Sequence, residues 1–211
     1  MSPRSDCRYV SRGGLKLAHA IEHFQFDVTG LRCADLGCSV GGFSDCLLQN
    51  GAAQVHAVDT AYGVLDYTIR RREEVMVYER TNALHFEPPE KELDLVVIDL
   101  GWTTQRRAIP AALGWLDPKG HIITLVKPHY ELNAAQKEQA LTDGCLEATM
   151  AKRVFHDVLA QLEQLNTSVL SWTESPIRGL KSEQRRPGQG NREYLVLLSP
   201  KDADSGPSQE D

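Results

Sequence analysis

Four charged residues stand apart from their surroundings in this chain: Lys16 in SRGGLKL, Asp99 in LVVIDLG, Lys127 in ITLVKPHYE and Glu193 in GNREYLVLL. Asp99 and Lys127 each close an apolar run. A charge at the end of a buried strand is costly unless it is paired, so a Lys, Asp, Lys, Glu set makes sense as mutually compensating charges gathered at one sheet edge. Taken singly, each also reads as a surface charge or a structural ion pair.

A second pattern belongs to the same edge. The stretch RCADLGCSVGGFSDCLLQNGA, from Arg32 to Ala52, places Gly37, Gly41 and Gly42 between an apolar segment and a helical one. In an open parallel sheet the ligand lies beyond the carboxyl ends of the strands, and the first strand-to-helix turn lets backbone amides approach it. Asp59 ends the next apolar run, AQVHAVD, where a carboxylate can accept hydrogen bonds from a ribose diol. Together they imply a nucleotide-bearing cofactor, with nicotinamide and S-adenosylmethionine both open. A GxxxxGK[ST] phosphate loop is absent from the sequence. Asn82, in YERTN, suits contact with an adenine edge or a plain turn.

The elements that must position these residues read as α/β. Val-rich runs alternate with helical patterns: LRCADLG then GFSDCLLQNG, AQVHAVD then a helical region through Ile69, and VMVYE then a loop. DLVVIDLG precedes a helix ending near GWLDPKG, and HIITLVKP precedes a long periodic stretch ending near Leu165. Such alternation predicts a mostly parallel sheet covered on both faces. TSVLSW and REYLVLL follow without a helix between them, which predicts an antiparallel C-terminal edge.

With 211 residues the chain suits one domain, 41% hydrophobic and 25% charged. It has no apolar segment of membrane-spanning length and no secretory leader pattern, so a cytoplasmic location is expected. Five cysteines lack paired zinc spacing, and no metal is inferred. The net charge of −6 opposes nucleic-acid binding, but its distribution softens that. Arg4, Arg8, Arg12 and Lys16 crowd the N-terminus, Arg70 to Arg72 form a run, and Lys181, Arg185 and Arg186 cluster late. The chain divides into a short basic arm (1–8), a main domain (9–199) and an acidic tail (200–211) of disordered composition.

The segments YVSRGGLKLAHAIEHF, ADLGCSVGGFSDCLLQNGAAQVHAVDTAYGVL, ERTN, LVKPHYE, SPIRG and GNREYLVLL, in this order, resemble the FtsJ-type ribose methyltransferases, specifically the TlyA or haemolysin A-like branch. The resemblance runs from Tyr9 to Leu198. It implies a Rossmann-like seven-stranded S-adenosylmethionine-dependent fold with a catalytic tetrad at Lys16, Asp99, Lys127 and Glu193. Its cofactor-binding set falls on Gly37, Ser39, Gly41, Gly42, Phe43, Asp59, Asn82 and Asp99. The expected reaction is methyl transfer to a ribose 2′-hydroxyl, most simply of ribosomal RNA. Lys127 would serve as general base if neighbouring cations and burial lower its pKa, or would stabilise the developing alkoxide.

Departures from the family pattern bear on the acceptor. The family's small N-terminal RNA-binding module is replaced by a short arm, so a separate partner could supply it. The residues after Asp99 read Leu100-Gly101-Trp102, and His129-Tyr130 follows the Lys-Pro pair where Gln-Phe is usual. Transfer RNA, a small-molecule acceptor, or a non-catalytic RNA- or ribosome-binding role stand as alternatives. A membrane-damaging activity is disfavoured by the lack of an amphipathic or apolar segment suited to it.

Overall fold

A computed structural model describes residues 7–89, 91–179 and 190–201. Most of the basic arm, the Lys181, Arg185 and Arg186 cluster, and nearly all of the acidic tail lie outside these residues.

The chain builds one seven-stranded sheet. Strands β1 (Arg32–Leu36), β2 (Gln54–Val58), β3 (Val75–Tyr78), β4 (Leu93–Ile98) and β5 (Leu116–Val126) are parallel, and β8 (Thr167–Glu174) and β9 (Tyr194–Pro200) complete it in the order β3-β2-β1-β4-β5-β9-β8. Two further short strands, β6 (Leu141–Thr142) and β7 (Cys145–Leu146), form a separate hairpin.

Both faces of the sheet are buried, which is why its strands read as near-continuous apolar runs. On one face Cys33, Val55, Leu95, Val97, Ile123 and Leu195 pack beneath helices α1 (Gly13–Phe24) and α2 (Gly42–Gln49). On the other, Leu36, Val96, Ile98, Ile122 and Val196 meet α4 (Gln105–Leu113) and α7 (Ala148–Leu162). In α7 the buried positions Ala151, Val154, Phe155, Val158 and Leu162 recur at helical spacing, so one stripe faces the sheet.

The C-terminal strands form the expected antiparallel edge, and their order within it matters. The antiparallel strand is β9, and it lies one place in from the edge, between β5 and β8. Because β9 runs opposite to β5, its first residues sit at the edge where the parallel strands end. The register pairs Val126 with Tyr194, so Lys127 and Glu193 come together just beyond it.

Two helical expectations change. After β2 only α3 (Tyr67–Arg70) forms, because Gly63 adopts φ +71° and Asp66 caps the helix by accepting from the Thr68 amide. The long periodic stretch after β5 divides into α5 (Pro128–Glu131), α6 (Ala134–Ala140), the hairpin and α7. The division comes at Asp143-Gly144, whose positive φ values of 50° and 74° are those of a tight primed turn.

Candidate active site

The carboxyl edge of the sheet carries Gly37 after β1, Asp59 after β2, Asp99 after β4 and Lys127 after β5, joined by Glu193 from the start of β9. Lys16 arrives from α1, whose Leu17 and Ala20 are fully buried against the core and fix the helix in place. All four members of the predicted charge cluster meet in one cleft of about 420 Å³. Lys127 is ion-paired with Asp99. Lys16 and Glu193 pair at 2.5 Å, although 177 positions separate them in the chain.

The Glu193 carboxylate is 3% exposed and lies over Gly179. A Cβ built on Gly179 would stand 2.2 Å from Glu193 Oε1, so any side chain there displaces the carboxylate. The SPIRG and GNRE segments thus meet at this glycine.

A second cleft of about 570 Å³ adjoins the first and is bordered by Asp59, Thr81, Asn82, Leu100 and Trp102. Gly37, Ser39, Asp99 and Lys127 border both. Gly37 adopts φ +93°, and a Cβ there would lie 2.6 Å from the Asp99 carbonyl oxygen, so the turn passes close against the end of β4 only because it is bare. Asp59 braces the same turn: its Oδ2 accepts from the Ser39 amide and its Oδ1 from the Ala61 amide, both at 2.8 Å. Those bonds leave lone pairs on both oxygens for a further donor such as a ribose diol.

The remaining predicted residues divide. Asn82 borders the second cleft, and its side-chain oxygen accepts from the Leu84 amide at 3.0 Å, so it also makes the turn. Phe43 and Gly42 border the first cleft and are absent from the lining of the second. Gly41, at φ +98°, packs toward Leu65 and Ile69 and borders neither. The cleft bordered by Asp59 is thus shaped by fewer of the turn's residues than the motif suggests.

Electrostatics revise the expectation for Lys127. Burial pushes its ammonium down, but the Asp99 carboxylate in contact, with Glu193 and Tyr130 beyond, outweighs this and raises the pKa. None of those groups is a cation, and the Tyr130 ring centroid stands 5.6 Å from the Lys127 nitrogen. The shift runs opposite to that of a base prepared by neighbouring positive charge.

Sequence reasoning undervalued several residues. His129 is buried in the wall of the first cleft, and Arg178 and Asn191 line it too. The SPIRG and GNRE segments were visible, but nothing local says that they converge. Trp102, 81% exposed and at φ 52°, tilts over Tyr130 with ring centroids 5.8 Å apart. The Arg70 to Arg72 run breaks up: Arg70 pairs with Glu79, Arg72 with Glu74, and Arg71 sits over the Tyr67 ring. It is a paired, solvated face. Among the described residues there is no cluster able to hold a metal, and no helix long and apolar enough to cross a membrane.

Known proteins resemble this chain in sequence and fold. The family described as FtsJ-like methyltransferase matches residues 9–197. The Mycobacterium tuberculosis protein named 16S/23S rRNA (cytidine-2'-O)-methyltransferase TlyA is 42% identical over 197 residues, covering 92% of this chain and 69% of that protein. Hemolysin A of Brachyspira hyodysenteriae is 30% identical, covering 90% of this chain and 76% of its own. A solved structure of a hemolysin-named protein from Streptococcus thermophilus superposes with a TM-score of 0.83 at 33% identity, covering 94% of this chain and 70% of that one. By its family match, by these relatives and by its fold, the chain belongs to the FtsJ-like methyltransferases.

Proposed function

We propose that this chain transfers a methyl group from S-adenosylmethionine to a ribose 2′-hydroxyl of ribosomal RNA. One observation carries the reading: two clefts, one edged by Asp59 and Asn82 and the other by Lys16 and Glu193, meet at Gly37, Ser39, Asp99 and Lys127. A transfer reaction needs a donor side and an acceptor side sharing one contact point, and most of its rate gain comes from holding the two in line. The ribosomal acceptor and the 2′ position are those in the name of the mycobacterial relative.

The donor cleft fits the cofactor on this chain's own geometry. The bare Gly37 lets the turn approach, Asp59 keeps acceptor capacity for a ribose diol, and Asp99 supplies negative charge where the clefts meet. When bound, the cofactor supplies an electrophilic methyl group on a positively charged sulfur.

On the acceptor side Lys127 works as an ammonium. It donates to the 2′-oxygen and stabilises negative charge there as the hydroxyl loses its proton, for which Asp99 and Glu193 are carboxylate acceptors in the same cleft. Lys16, held by Glu193, keeps a second cation beside the sugar. Trp102 and Tyr130 offer aromatic faces for stacking a base, worth about 1–3 kcal/mol each. No metal is needed for this chemistry, and the reading places the protein in the cytoplasm with its RNA.

The test is incubation with labelled S-adenosylmethionine and, separately, ribosomal subunits, transfer RNA and total RNA, followed by digestion to nucleosides. Label in 2′-O-methylated nucleosides of a ribosomal subunit is the expected result. Label only in transfer RNA overturns the ribosomal acceptor. No transfer to any RNA, with the cofactor bound, overturns the RNA reading itself.

A further inference from the structure

Asn191 is buried, borders the acceptor cleft, and lies two residues before Glu193. Its side-chain oxygen accepts from the Leu146 amide at 2.8 Å, and its side-chain nitrogen donates to the Gly144 carbonyl at 2.9 Å. Its backbone amide and carbonyl both bond to Gly179, each at 3.0 Å. One residue therefore ties three segments together: the tight turn of the β6-β7 hairpin, the glycine beneath the Glu193 carboxylate, and the entry to β9.

The hairpin has contacts on the other side of the cleft as well. β7 packs against α5, the short helix that begins directly after Lys127 and carries His129 and Tyr130. Leu146 joins Leu132, Ala151 and Val154 in a small apolar cluster of its own. The hairpin is thus seated by apolar packing near the Lys127 segment and by two hydrogen bonds to the Glu193 segment. A buried amide that satisfies a turn carbonyl and a strand amide at once has one orientation, and that orientation fixes the backbone that bears Glu193.

We propose that Asn191 is a positioning residue for methyl transfer: by pinning the Asp143-Gly144 turn to the entry of β9, it holds the Glu193 carboxylate over Gly179 and against Lys16. The inference rests on the reading of Glu193 as part of the transfer machinery. It assigns Asn191 no contact with substrate. It also gives the hairpin, a feature invisible in the periodic pattern of its sequence, a task at the acceptor cleft.

The test is a mutant cycle of Asn191→Ala and Glu193→Gln, singly and together, with kcat and KM measured on bacterial ribosomal subunits and cofactor affinity measured apart from turnover. Displacement of a positioned group by about 1 Å costs up to about 100-fold in rate. Asn191→Ala is accordingly expected to lower kcat about 10- to 100-fold with cofactor affinity unchanged. It should add less than about twofold when Glu193 is already Gln, because effects that pass through one group are not additive.

Hydrogen exchange of the Leu146 amide, a readout independent of turnover, should quicken in Asn191→Ala. If that variant does not fold, Asn191→Asp takes its place in the cycle: it keeps an acceptor for Leu146 and sets a carboxylate oxygen against the Gly144 carbonyl. A loss that multiplies fully with that of Glu193→Gln, or unaltered kcat in the single variant, overturns the proposal while leaving Glu193 in its role. Full turnover in Glu193→Gln overturns the reading on which the proposal stands. A wild-type protein inactive on ribosomal subunits counts against the ribosomal acceptor, and an unaltered Leu146 exchange rate counts against the pin.

Discussion

The two clefts are built in opposite ways. The donor cleft comes from the loops that follow successive parallel strands: a glycine turn directly after β1, with an aspartate after β2 that accepts an amide hydrogen from the turn itself. The acceptor cleft comes from side chains that meet only in the finished fold, with Lys16 from the first helix paired to Glu193 from the last strand. A backbone cradle tolerates change in side chains that do not face it. A cleft of paired charges does not, since removing one partner leaves the other buried and uncompensated. The donor side should therefore lose affinity when altered, and the acceptor side should lose rate.

The largest effect tests the second half of that contrast. Lys127→Ala removes the ammonium at the meeting point, and methyl transfer is expected to fall by about 1,000-fold, the upper end for deleting a donor that stabilises developing negative charge. Cofactor affinity should stay within a few-fold, read by calorimetry. Substantial turnover in this variant would remove Lys127 from its role.

Asp59→Ala tests the first half. It strips the turn of a carboxylate that braces Ser39 and Ala61, and is expected to weaken cofactor binding about 10- to 100-fold, the scale of losing charged hydrogen bonds. Turnover at saturating cofactor should recover to near the wild-type rate. A persistent loss of rate would show that the two clefts are not separable. A smaller effect again is expected at Trp102. Its exposed ring offers stacking and no charge, so Trp102→Ala should raise KM for RNA about fivefold to tenfold, near the lower end for one stacked base, with little change in kcat.

The same contrast governs what the sequence disclosed. The parallel strands, the glycine turn and Asp59 are legible because each is a local pattern: Val-rich runs buried on both faces, a bare turn, a charge closing a strand. The four charged residues were also legible as a compensating set, but which cation meets which carboxylate was not, because Lys16 reaches Glu193 only through an antiparallel strand inserted between β5 and β8. Residues 134–162 misled for a physical reason. Their apolar spacing suits helix throughout, and only the Asp-Gly pair at 143 and 144 signals the reversal that makes a hairpin. The role of Arg70 was likewise undecidable locally, since its partner Glu79 lies beyond β3.

The last prediction concerns a cost built into the donor side. Asp35, in the middle of β1, points to the face covered by α2, accepts from the Ser44 hydroxyl at 2.6 Å, and has a second oxygen that meets no donor among the described residues. Burial pushes its pKa up to about 7, and the nearby Asp99 and Asp59 carboxylates push the same way, with the Ser44 bond only partly opposing them. A folded pKa above the unfolded value means that the folded state holds the proton more tightly. The stabilising contribution is full at low pH, below the ordinary carboxylate range near 4, and is lost as pH rises through about 7. Asp35→Asn keeps an oxygen for Ser44 without the charge. Its stability advantage over the wild type should be near zero below about pH 4, should grow as pH rises from about 4 to about 7 and should level off above that, reaching up to about 4 kcal/mol at 1.4 kcal/mol per pK unit. Turnover should change by less than about threefold, since the residue borders neither cleft. Denaturant melts of both proteins across this range decide the matter: parallel curves would mean that Asp35 is already ionised, and that the turn above it rests on a buried charge compensated from elsewhere.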